Sequence, residues 1–218
     1  MKKLTLSAIA LVVAGGLVAC VPMAAKKSDA EYDQLTQQAL KSFHSKGIAK
    51  VDRLVQDDSN RLCSQADVAG KPLDAGTAKA IEAANLAVIQ WPNDGQYIGD
   101  WKKGEKLAQS GKGMTWKDKT ASNNGGNCYN CHQISKAEVS YGTIGPSLYN
   151  YGKLRGVSDP SSPAAKEVVS YTWGKIWNAR AYNACSNMPR AGHNGVLTQD
   201  QVKDLMALLL DPKSPVNQ

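Results

Sequence analysis

The run Cys128-Tyr129-Asn130-Cys131-His132 constrains this chain more than any other feature of its 218 residues. Two thiols at this spacing, followed at once by an imidazole, can add to the two vinyl groups of a haem while the histidine takes the proximal position on iron. A chain bonded to a flat macrocycle at these points must wrap around it, so one covalent haem c is expected to supply much of the core. The competing reading of five residues is a pair of reduced thiols or half of a zinc site.

The N-terminus points to export. Lys2 and Lys3 form a basic start, Leu4 to Val13 an apolar stretch, and small residues lead to Cys20, the order of a signal peptide over residues 1–20. An anchor helix is the alternative, but the apolar stretch is short and broken by Gly15 and Gly16, which ill suits a bilayer span. Leu17-Val18-Ala19-Cys20 resembles a lipobox whose cysteine is acylated, although Val18 departs from its commonest form and ordinary cleavage near residues 19–25 competes. The expected location is the periplasm, with a lipid tether to a membrane face if Cys20 is acylated.

With Cys20 and the two haem thiols set aside, Cys63 and Cys185 remain of the five cysteines. Two leftover thiols in an oxidising compartment suggest one disulfide. The alternative for Cys185, three residues before Met188, is a reactive or ligating thiol. The net charge of +7 is spread over scattered lysines such as Lys26-Lys27 and Lys102-Lys103. With no basic stripe or interleaved aromatics, nucleic acid is not an expected partner.

Helical signals dominate, and alternating strand patterns are lacking. Ser28 to Glu31 has capping-box form and opens a helix to about Lys46, before Gly47. Further helices are expected over Thr77–Trp91, Asp100–Gln109 and residues 164–184, and after Thr198, where Val202, Leu205, Met206 and Leu209 mark one buried face before Asp211-Pro212. Gly104 inside the third of these costs about 1 kcal/mol relative to alanine, which invites a close helix contact. The fold class expected is all-α: a signal peptide over 1–20, an N-terminal helical extension over 21–92 and a haem domain over 93–218.

The sixth iron position has Met114, Met188, Met206, His44 and His193 as candidates. Met188 is favoured because Asn187-Met188-Pro189-Arg190 places a thioether in a proline-stiffened loop between the last two helices. A His/Met pair suits electron transfer and leaves no open site for oxygen.

CYNCH, Gly145-Pro146, a Met-Pro loop and a terminal helix together resemble monohaem class I cytochromes c. That resemblance implies that the carbonyl of Pro146 accepts the proton of the His132 imidazole and so fixes its orientation. More narrowly, GDWKKGEKLA, GNCYNCH, GTIGPSL with YGKLRG, NMPR and the end LTQDQVKDLMALLLDPKSPVN look like the SoxX family of small cytochrome subunits, over about Cys63 to Asn217. The likeness implies a SoxA-type cytochrome partner carrying the catalytic haem, which joins thiosulfate to a cysteine of a SoxYZ carrier. This chain would pass the electrons to a soluble cytochrome c, having no catalytic residue of its own. The alternative is an independent or lipid-tethered electron shuttle.

Overall fold

The structure, a computed structural model, describes residues 29–121 and 124–218, so the expected leader and Cys20 lie outside the described residues. The chain divides at Ser42 into two units. In the first, α1 spans Asp29–Leu40. It ends short of the expected Lys46, which instead exchanges both backbone hydrogen bonds with Ala49 across a turn in which Gly47 takes φ +59°.

The second unit, Ser42–Gln218, holds α2 (Asp58–Ala69), α3 (Ala75–Ala87), α4 (Trp101–Gln109), α5 (Tyr151–Leu154), α6 (Lys166–Trp177) and α7 (Gln199–Leu210). Among the described residues there is no strand, only the Lys46–Ala49 bridge, and the all-α expectation holds. Residues 42–92, within the N-terminal helical extension expected over 21–92, lie in the unit Ser42–Gln218.

Helix α2 was not expected from the sequence. Its boundaries are nevertheless encoded: Asp57 accepts from the Asn60 N–H at 2.8 Å, and Gly70 closes the helix in the left-handed conformation. Helix α3 starts the same way, with Asp74 accepting from Thr77 N–H, and buries Ile81 and Asn85.

Helices α4 and α7 cross in direct contact. The Gly99 N–H donates to the Lys203 carbonyl at 2.9 Å and the Asp100 N–H to Asp204 Oδ1 at 2.8 Å. A Cβ on Gly104 would overlap the Asp204 carbonyl, so the close contact that the glycine invited is present. Thr198 and Gln201 form the expected capping box of α7, and Val202, Leu205, Met206, Leu208 and Leu210 are all buried. Burying each leucine of this face contributes about 1.5–3 kcal/mol.

Helix α6 packs Val169, Trp173, Ile176 and Trp177 inward, with the Trp173 and Trp177 rings stacked at 5.7 Å. It stops at Trp177 rather than running to 184. Asn178, fully buried, leaves helical geometry to donate its amide to Asn85 Oδ1 at 2.9 Å and to the Asn85 carbonyl. At the C-terminus, Asn217 Oδ1 accepts from the Gly152 and Lys153 N–H groups while its amide donates to the Leu209 and Asp211 carbonyls. The last residues therefore close the end of α7 onto α5.

Candidate functional site

The CYNCH segment forms a single 3-10 turn, Cys128–Asn130, entered through Asn127 in the left-handed conformation at φ +52°. The Cys131 and His132 N–H groups both donate to the Cys128 carbonyl, at 3.1 and 2.9 Å, which curls the segment so that His132 follows directly on the turn. Gly126 brings the backbone close to the first thiol, since a Cβ there would lie 3.0 Å from Cys128 Sγ.

Both thiols are unbridged. Burial, helped by the neighbouring Cys131, pushes the free Cys128 thiol up to about 12. Tyr129 is buried beneath the turn. Its hydroxyl donates to Glu105 Oε1 at 2.9 Å and accepts from the Ser135 N–H at 3.2 Å, tying the turn to α4. Burial raises the Glu105 carboxyl above the ordinary range, against the lowering effect of the Tyr129 hydrogen bond, and its Oε2 is buried with no hydrogen-bond partner.

The imidazole of His132 is held from the opposite side. Its Nδ1 lies 2.7 Å from the Pro146 carbonyl. A carbonyl can only accept, so Nδ1 carries the proton and the Nε2 lone pair is left for a metal. The loop between them is folded back by the Gly142 N–H donating to the Tyr129 carbonyl and the Gly145 N–H to the Cys131 carbonyl, at 2.7 and 2.8 Å. Any Cβ on Gly145 would overlap the imidazole ring, and one on Gly142 the Asn130 carbonyl. The residues fit a covalent haem: two thiols at attachment spacing, an imidazole in the tautomer that frees Nε2, and a cradle that tolerates only glycine beside the ring.

Of the candidates for a second axial ligand, Met206 is fully buried on α7 and His44 and His193 are exposed. The Met114 sulfur accepts from Asn124 Nδ2 at 3.0 Å and Arg53 Nη1 at 3.2 Å. Met188 is half-buried, packed against the main apolar core, in the loop between α6 and α7. Cys63 and Cys185 are joined in a disulfide.

Gly145 was expected as part of the Gly145-Pro146 pair, and its close approach to the imidazole ring is seen only in the folded chain. One further group was not anticipated from sequence. Asp57 binds Arg190, two residues beyond Met188, at 2.6 Å; only recognition of α2 and its cap could have drawn attention to it.

Residues 102–212 match the family model described as "Cytochrome c". The chain is also 33% identical over 211 residues to a protein of Aquifex aeolicus (strain VF5) named "Uncharacterized lipoprotein", the alignment covering 95% of this chain and 96% of the relative. Among the described residues no helix is long and apolar enough to cross a membrane.

Proposed function

This chain belongs to the cytochrome c family, and from that premise we propose that it transfers electrons through one haem c that Cys128 and Cys131 would bond and whose iron His132 and Met188 would ligate. The observation that carries the reading is the 2.7 Å contact of His132 Nδ1 with the Pro146 carbonyl, a second-shell bond of the kind that fixes the orientation of a ligating imidazole and strengthens it as a donor. When bound, haem c supplies a one-electron couple at its iron. The chain's part is to hold the imidazole through Pro146 and Gly145, to present the thioether of Met188 from a stiffened loop, and to shield the attachment turn with Tyr129 and the packed α4 and α7. A thioether and an imidazole as the ligand pair would raise the potential relative to two imidazoles.

The finer reading is a SoxX-type subunit that works outside the cytoplasm beside a SoxA-type cytochrome, receives the electrons released when thiosulfate is joined to a SoxYZ cysteine, and hands them to a soluble cytochrome c. It is supported by the matching segments named above. Two of the most specific residues among them, Ser214 and Asn217, are buried and fasten the C-terminal turn. The second reading, a lipid-tethered periplasmic shuttle acylated at Cys20, is favoured by the naming of the Aquifex relative as a lipoprotein. Affinity isolation of the tagged mature protein from its native host, with haem staining and mass spectrometry of stoichiometric partners, separates them. A tightly bound second c-type cytochrome supports the SoxX-type reading, and a monomer with only salt-sensitive partners overturns it in favour of the shuttle.

A further inference from the structure

The segment from Asp57 to Gln90 fastens itself to the stretch 173–190 at successive points. The Trp173 indole N–H donates to the Gln90 carbonyl at 3.0 Å, and the Asn178 amide to Asn85 Oδ1 at 2.9 Å. Glu82 Oε1 accepts from the Ala184 N–H at 3.2 Å, Cys63 is bonded to Cys185, and Asp57 Oδ2 meets Arg190 Nη1 at 2.6 Å. The last three attachments bracket Met188, at 184–185 on one side and at 190 on the other.

We propose that residues 57–90 are a clamp on the loop that carries Met188, in which Asp57, Glu82 and the Cys63–Cys185 bridge are positioning residues for the thioether. The proposal rests on the reading of Met188 as the axial ligand. Between the Ala179–Ala181 turn and Thr198 this loop has no helix of its own, and its intrinsic bonds are short-range, such as Ser186 N–H to the Asn183 carbonyl and Asn194 N–H to the Arg190 carbonyl. A bond from thioether to iron survives only as long as the loop stays closed, so the open fraction sets how readily another donor replaces it. The charge arrangement adds to the clamp. Arg190 is 8% exposed, and Arg180, whose Nη1 is buried without a hydrogen-bond partner, faces the same Asp57 carboxylate. Without Asp57 the two guanidinium groups would repel each other across the base of the loop.

The test uses the holoprotein, with imidazole as the competing donor, titrated by the Soret shift, and the far-red sulfur-to-iron band as the record of Met188. Asp57→Asn and the double variant Cys63→Ser/Cys185→Ser should keep the far-red band without imidazole and bind imidazole about tenfold more tightly, because a larger open fraction raises apparent affinity in proportion. Asp57→Glu should return the affinity toward that of the wild type. Asn217→Ala, which removes the side-chain bonds of the C-terminal turn to Gly152, Lys153, Leu209 and Asp211, should leave it unchanged, and this separates positioning from general loss of stability. If the double variant does not fold, the wild-type holoprotein takes its place after reduction of the bridge with dithiothreitol, alkylation of the two freed thiols, removal of both reagents and reoxidation of the haem. Wild-type imidazole affinity in Asp57→Asn and in the bridge-free protein overturns the clamp. Met188→Ala reports separately on the ligand: a far-red band that survives there refutes Met188 itself, whereas its loss together with unchanged affinity in the clamp variants refutes only the clamp.

Discussion

Replacing Gly104 with alanine sets two effects of opposite sign against each other. In a helix open to solvent the change should stabilise, because glycine is about 1 kcal/mol worse than alanine in a helix interior. Here the added methyl would overlap the carbonyl of Asp204, with the Cβ of Leu208 at 3.0 Å as a further neighbour. Backbone cannot rotate aside as a flexible side chain can, and α7 is held at this point by the Gly99 to Lys203 and Asp100 to Asp204 hydrogen bonds. Overpacking of this kind costs typically about 1–3 kcal/mol, and the crossing is rigid enough to place it at the upper end. After the propensity gain is subtracted, a net loss of about 1–2 kcal/mol remains. For a chain of this size each kcal/mol moves Tm by roughly 2–4 °C, so the variant should melt roughly 2–8 °C lower. Thermal unfolding of the holoprotein by far-UV circular dichroism, at one scan rate and matched haem content, measures it. A Tm equal to or above that of the wild type would mean that α4 and α7 do not touch at Gly104, and the packing argument for both helices would fall.

Gly145→Ala should lower the fraction of chain recovered with covalent haem, because its Cβ would overlap the His132 ring; haem per polypeptide, read by pyridine haemochrome absorbance, would be unchanged if the cradle is unimportant. Glu105→Gln should alter the pH dependence of stability. Folding raises the Glu105 pKa above its ordinary 4.5, so the wild type is unpenalised below that value and loses stability as pH rises through the raised value. Denaturant midpoints of the two proteins should converge in acid and separate in favour of the variant toward neutrality, and parallel curves would exclude Glu105 as the cause. The Cys63→Ser/Cys185→Ser variant should lose stability with an unmoved Soret maximum. The chain-entropy account puts the loss near 4–5 kcal/mol for a loop of this length, and a shifted Soret band would instead implicate one of these thiols in haem ligation.

How far the sequence could be read follows from how local each signal is. The start and stop of α7 are written within its own residues, Thr198 and Gln201 at one end and Asp211-Pro212 at the other, and its apolar face repeats every three to four positions. The two haem thiols and His132 are equally local. Helix α2 escaped because its residues carry no apolar stripe: it buries only Cys63, so only its caps, Asp57 and Gly70, announce it. The end of α6 escaped for a different reason. Asn178 leaves the helix to reach Asn85, far away in the chain, and no periodicity encodes a partner at that separation. The cradle at Gly145 and the ion pair of Asp57 with Arg190 are likewise properties of the folded chain, although the resemblance to class I cytochromes c already implied the role of Pro146.

The bridge between Cys63 and Cys185 spans 122 residues, and the haem cysteines lie inside that span. Read as a timetable, this is an ordering problem. On the export that the expected leader implies, the N-terminus would emerge first and present Cys63, then Cys128 and Cys131, and only later Cys185. Oxidation in order of appearance would join Cys63 to Cys128 or Cys131 and leave Cys185 without its native partner, or would join Cys128 to Cys131 and leave no free thiol for a haem. The Cys63–Cys185 bridge and the proposed haem attachment can therefore both form only if Cys128 and Cys131 are reduced or already bonded to haem when Cys185 emerges, which would make cofactor attachment a checkpoint in maturation.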